Sequence, residues 1–126
     1  MKDVLIDTNF LTLPHTHKLD VFNQLSEVIP EKHRLFVLNG TLEELKALST
    51  EKTKTGVAAK VGLSLLEKSE VEVLPLSGDV DAQIIAYATD HKNLIVATND
   101  RELKKRLKGL GVEVVSLRGN HSLTRI

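Results

Sequence analysis

The chain has 126 residues, no cysteine, and 17 acidic residues balanced by 17 basic ones. This length fits a single domain spanning 1–126, and the absence of thiols excludes a disulfide framework, a cysteine nucleophile, an iron–sulfur cluster and Cys-ligated zinc. Zero net charge excludes a wholesale basic footprint, but residues 100–126 hold 3 acids and 7 bases, a surplus of +4, against −2 in each of 1–50 and 51–99.

In chain order, Val4-Leu5-Ile6 reads as a buried strand stopped by Asp7-Thr8-Asn9, and Pro14 marks a break. Leu19, Phe22, Leu25, Val28 and Ile29 have helical spacing before Pro30. Leu35 to Leu38 is a second strand. Thr41 and Glu44 then stand at capping-box spacing, opening a helix with Leu42, Leu45 and Leu48. The polar stretch 49–56 reads as an exposed connection. A helix with Val57, Val61, Leu65 and Leu66 inward follows, then a third strand over 71–76. Ser77 or Asp79 caps the next helix, where Asp81, Ile84, Ile85 and Ala88 share one stripe. Leu94 to Ala97 is a fourth strand, halted by Thr98-Asn99-Asp100. A helix defined by Leu103, Leu107 and Leu110 is ended by Gly109 and Gly111, and Val112 to Val115 is a fifth strand.

Strands made of continuous aliphatic runs, alternating with helices, predict a three-layer α/β/α domain. Its mainly parallel, five-stranded sheet is doubly wound, with a switch point beside the first strand. Asp7, Glu44, Asp81 and Asp100 then all fall at the carboxyl ends of strands or in the helix turns that follow, on one rim of the sheet. Each has a local explanation as an Asx turn, a capping box or a helix-end charge. Hydroxyls that serve those purposes already stand nearby in Thr8, Thr41, Ser77 and Thr98, so the joint excess of charge calls for another reason. Carboxylates converging on one crevice repel unless a cation lies between them, and an all-oxygen donor set suits Mg²⁺ or Mn²⁺. Divalent-metal phosphodiester chemistry is the function this predicts.

The segments Val4-Leu5-Ile6-Asp7-Thr8-Asn9, Glu44-Leu45, Asp81-Ala82-Gln83-Ile84 and Val96 to Leu103 resemble, in order, the acidic motifs of PIN-domain nucleases. The opening through Leu13-Pro14 and the ending to Arg118-Gly119 are similar to small archaeal-type PIN proteins related to ribosomal RNA-processing nucleases. The resemblance implies a Rossmann-like sheet and a metal-dependent endoribonuclease, often dimeric. It implies RNA as substrate, with ribosome-assembly partners in RNA maturation or an antitoxin partner in a toxin–antitoxin pair. It places Asp7, Glu44, Asp81 and Asp100 as metal-binding and catalytic acids, with Asn9 and Thr98 supporting them. Asp79, two residues before Asp81, competes for the same role, and Glu43 stands beside Glu44.

Arg101, Lys104, Lys105 and Lys108 form the polar side of the helix that begins at Asp100, either a solvated face or a phosphate-guiding patch for RNA. The five histidines are scattered and read as loop or surface residues, and Gly109-Leu110-Gly111 is too short for a nucleotide-binding loop. No segment approaches the roughly 18 apolar residues of a membrane span, so the expectation is a soluble cytoplasmic protein with no membrane partner. Two rival readings differ in class. A catalytically silent PIN-like RNA-binding scaffold would leave the acids without metal. A phosphorelay receiver would need a phosphoacceptor Asp directly after the third strand and a late Lys after the fifth, where this chain has Leu76-Ser77-Gly78-Asp79 and Ser116-Leu117-Arg118.

Overall fold

Val4-Leu5-Ile6 and Leu94-Ile95-Val96-Ala97 carry no polar side chain, so strands built from them need cover on both faces. The computed structural model, which describes residues 1–126, provides it. β1 (Lys2–Ile6) lies between β2 (His33–Leu38) and β4 (Leu94–Ala97) and is parallel to both; β3 (Val71–Leu74) extends the sheet beyond β2, and β5 (Glu113–Arg118) beyond β4. The short α1 (Leu13–Thr16), α2 (Val21–Val28), α3 (Asn39–Ser49) and α4 (Lys54–Glu67) precede β3, whereas α5 (Val80–Asp90) and α6 (Arg101–Gly109) follow it. One core joins Val4, Ile6, Ile95 and Val115 to Leu25, Leu45 and Ala59; the other joins Leu5, Val96 and Val114 to Ile84, Leu103 and Leu107. The layers are therefore α/β/α.

The strand order is β3-β2-β1-β4-β5-β6, so the chain winds outward from β1 in one direction and then resumes from β4 in the other. The switch point lies between β1 and β4, as expected. The sheet has six strands, however, where the sequence predicts five. β6 (Ser122–Arg125) runs antiparallel to β5 after a turn in which Gly119 has φ +62°. Its single apolar anchor, Leu123, gives almost no strand signal. It is held from afar, by the Leu123 N–H donating to Gln24 Oε1 (3.0 Å) and by Arg125, which pairs with Glu113 (2.6 Å) and Glu31 (2.7 Å).

Four local expectations also change. Pro14 stands in the first turn of α1, where its missing N–H costs nothing, and does not break the chain. α3 begins at Asn39, so Thr41 and Glu44 lie inside it instead of forming a capping box, and the Gly40 N–H is satisfied by the Leu76 carbonyl (2.9 Å). In α4 the buried positions are Gly56, Ala58, Ala59 and Gly62, while Val57 is 44% exposed. Small residues face inward because α4 lies directly on the 3-10 turn Thr8–Thr12: a Cβ added at Gly62 would stand 2.5 Å from the Leu11 carbonyl oxygen. Backbone proximity, not aliphatic bulk, decides that face. Leu110 is the C-cap of α6 and half exposed.

Candidate active site

The carboxyl end of β1 delivers Asp7 to the crevice at the switch point, where its side chain is only 4% exposed. Two donors hold the carboxylate: the Thr8 N–H reaches Oδ1 (2.8 Å) and Thr98 Oγ1 reaches Oδ2 (2.6 Å). Burial pushes the carboxyl from 3.8 up to about 6; those two hydrogen bonds oppose the shift, and the charges of Asp81 and Asp100 add to it. Thr98 in turn accepts the Asp100 N–H (3.1 Å), so one hydroxyl links the ends of β1 and β4.

Asp100 and Asp79 are the N-caps of α6 and α5, accepting the N–H groups of Leu103 (3.1 Å) and Ala82 (3.4 Å) respectively. Asp81 stands in the first turn of α5, and its carboxyl is raised by burial, then by the charges of Asp100 and Asp79, while Arg106 lowers it. Glu44, in the second turn of α3, accepts a hydrogen bond from Thr8 Oγ1 (3.4 Å), whose other neighbour is the buried Thr41 hydroxyl (3.3 Å). Burial and the charges of Asp81 and Asp79 raise the Glu44 carboxyl against that bond. Asn9 accepts the Asn99 N–H (3.3 Å), and Asn99 accepts the Leu117 N–H (2.8 Å), which ties the 3-10 turn to the loop after β4 and to β5.

Asp7, Glu44, Asp79, Asp81 and Asp100 therefore line one open cleft of about 430 Å³, completed mainly by Thr8, Asn9, Thr12, Thr55 and Leu48. They ring it without closing into a three-ligand cage. No lysine, arginine or histidine is among its lining residues. Glu43 turns away, accepting from Asn39 Nδ2 (3.1 Å). Arg101, Lys105 and Lys108 are exposed and Lys104 is half-buried; all four lie on α6 outside the cleft lining. Sequence reasoning did not single out Asn99, Thr12, Thr55 or Arg106. Asn99 was readable as part of Thr98-Asn99-Asp100, whereas Thr12 reaches the cleft on the 3-10 turn and Thr55 through the packing of α4 on that turn.

The PIN-like domain family matches residues 4–120. The chain belongs to that family. Among its relatives, ribonuclease VapC4 of Methanocaldococcus jannaschii is 29% identical over 120 residues, covering 94% of this chain and 92% of that protein. Ribonuclease VapC9 of Archaeoglobus fulgidus is 33% identical over 111 residues, 87% of this chain and 78% of that one. The rRNA-processing protein fcf1 of Schizosaccharomyces pombe is 28% identical, with 95% of this chain matching 60% of that protein. The solved structure of the PIN domain endonuclease Utp24 superposes with a TM-score of 0.79 at 25% identity, over 98% of this chain and 90% of that one. The fold and the family expected from the four acidic segments of this PIN-like domain are thus both met.

Proposed function

We propose that this PIN-like domain is an endoribonuclease dependent on Mg²⁺ or Mn²⁺, acting in RNA processing. The observation that carries the reading is the convergence of five carboxylates, one of them buried, on a cleft whose lining holds no basic side chain. The donor set fits a hard divalent cation: every candidate ligand is oxygen, and burial, with like charge adding to it, already drives the carboxyls of Asp7, Glu44 and Asp81 upward. Asp7, Glu44, Asp81 and Asp100 would hold the ion, with Asp79 at the rim. When bound, it supplies a water acidic enough to act as nucleophile near neutral pH and offsets the charge that builds on the phosphate and leaving oxygens. Thr98 and the Thr8 N–H fix both oxygens of Asp7, Thr8 Oγ1 fixes one oxygen of Glu44, and Asn9 locks the turn that carries them. Arg101, Lys104, Lys105 and Lys108 add a cationic approach for RNA phosphates.

Names of relatives support this reading, since they include ribonucleases and rRNA-processing proteins. A toxin ribonuclease paired with an antitoxin is the second reading, favoured by the match to 92% of the ribonuclease VapC4 against 60% of fcf1; a small antitoxin gene beside its own would decide for it. The test of the chemistry is cleavage of a circular single-stranded RNA, which exposes no end. We expect cutting with Mn²⁺ or Mg²⁺, none in EDTA, and none by Asp7→Asn. Cleavage that persists in EDTA, or equal rates in the variant, would exclude the reading, and saturable RNA binding without cutting would favour the silent scaffold.

A further inference from the structure

The acids of the cleft repel a polyanion, so RNA needs a cation at the rim to seat a phosphate beside them. At 100° per residue Glu102, Arg106 and Leu110 share one flank of α6, whereas Arg101, Lys104, Lys105 and Lys108 lie on the other. The flank that faces α5 is fixed by its lower end, where Leu110 lines a cavity together with Ala88 and Thr89 of α5. α5 and α6 both start at the cleft rim and share a core through Ile84, Leu103 and Leu107. Arg106, one turn above Leu110, therefore points along the groove between the two helices, and helical side chains lean toward the N-terminus, here toward the rim. Its positive charge is felt at Asp81, yet no carboxylate lies within ion-pair distance of its guanidinium. The group is exposed and free to take a ligand.

We propose that Arg106 is a substrate-positioning residue that clamps an RNA backbone phosphate at the α5–α6 rim of the acidic cleft, and this rests on the ribonuclease reading above. A planar guanidinium grips two phosphate oxygens at once, a geometry that a lysine on the outer flank cannot reproduce. The test uses the full chain and a short single-stranded RNA, with binding measured over a range of NaCl in the presence of Ca²⁺ and single-turnover cleavage measured with Mn²⁺. Arg106→Gln should weaken binding about tenfold, as expected for one charge-assisted contact. It should also reduce the slope of log K against log[salt] by about 0.7. Arg106→Lys should recover the slope but not the full cleavage rate, and Lys92→Gln, at the opposite end of the sheet, should change neither. A merely structural Arg106 would lower the melting temperature and leave the salt slope unchanged. An Arg106→Gln protein with wild-type affinity and slope overturns the proposal. A wild type that binds RNA without cutting it overturns the nuclease reading alone, and Arg106 still stands or falls on the slope; a wild type that binds no RNA overturns both.

Discussion

Asp7 shows how one buried residue shapes the pH response of the chain. Its carboxyl accepts two hydrogen bonds and still titrates at about 6 instead of 3.8, because burial outweighs them. The native state then binds that proton more tightly than the unfolded state between these values, so the associated stability is present below about pH 4 and is lost as pH rises through 6. Two units correspond to about 3 kcal/mol. The raised carboxyls of Glu44 and Asp81 act in the same direction. Glu31, held down to about 2 chiefly by its hydrogen bonds from Arg125, acts oppositely and loses its contribution as pH falls from 4.5 toward 2. Thermal melts in EDTA should show the melting temperature rising from pH 7 to pH 5 and falling again below pH 4, and Asp7→Asn should flatten the first limb. A wild-type melting temperature that does not change between pH 7 and pH 5 would contradict this account of Asp7.

Asp81 and Asp79 separate two roles that the sequence left entangled. Asp79 accepts the Ala82 N–H and caps α5, whereas the Asp81 carboxylate caps nothing and faces Asp100 and Asp79. Removing its charge relieves repulsion without removing a cap. Asp81→Asn should raise the metal-free melting temperature by a few degrees and reduce the further rise on adding Mn²⁺. Asp79→Ala should lower it, by about 1 kcal/mol of cap. Differential scanning calorimetry with and without Mn²⁺ checks both; a lower melting temperature in Asp81→Asn would mean that its helix-end charge outweighs the repulsion.

At the scale of elements, aliphatic runs and the residues that stop them made β1, β2, β4 and α6 legible, and with them the rim on which the acids lie. What remained hidden depends on contacts distant in sequence. β6 is specified by Arg125 meeting Glu31 and Glu113, and α3 starts early because a carbonyl from the loop after β3 receives the Gly40 N–H. α4 turns its small residues inward because a backbone lies against them, which hydrophobic periodicity cannot report. Gly62→Ala should therefore cost about 1–3 kcal/mol through overpacking against the Leu11 carbonyl. It should lower cleavage with it, by pushing the 3-10 turn that carries Thr8 and Asn9. Gly109, around which a Cβ meets nothing within 4 Å, provides the contrast: Gly109→Ala should be neutral or stabilising. Chemical denaturation of the two variants measures the difference, and equal stabilities would refute the close approach of α4.

The whole molecule has zero net charge but divides it, with five acids in the cleft and a basic surplus after residue 100. Of that surplus Arg125 is committed to ion pairs that fasten β6, which leaves Arg118 on β5 and the five bases of α6, so α6 carries most of the cationic face. If Lys104, Lys105 and Lys108 contact phosphates, replacing all three with Gln should weaken binding to unrelated RNA sequences alike and flatten its salt dependence, because each contact releases counterions. An unchanged slope would make them a solvated surface.

The proposed function requires that the acids gathered at the switch point of the doubly wound sheet hold a divalent cation. It is tested most directly by equilibrium Mn²⁺ binding near pH 7, read from the loss of the free-ion signal in electron paramagnetic resonance. Saturable binding by the wild type is expected, with release of protons below pH 7 as Asp7 gives up its own, and with binding lost in an Asp7→Asn, Asp100→Asn double variant that still folds. A wild type that takes up no Mn²⁺, or a double variant that binds it as the wild type does, would contradict the account.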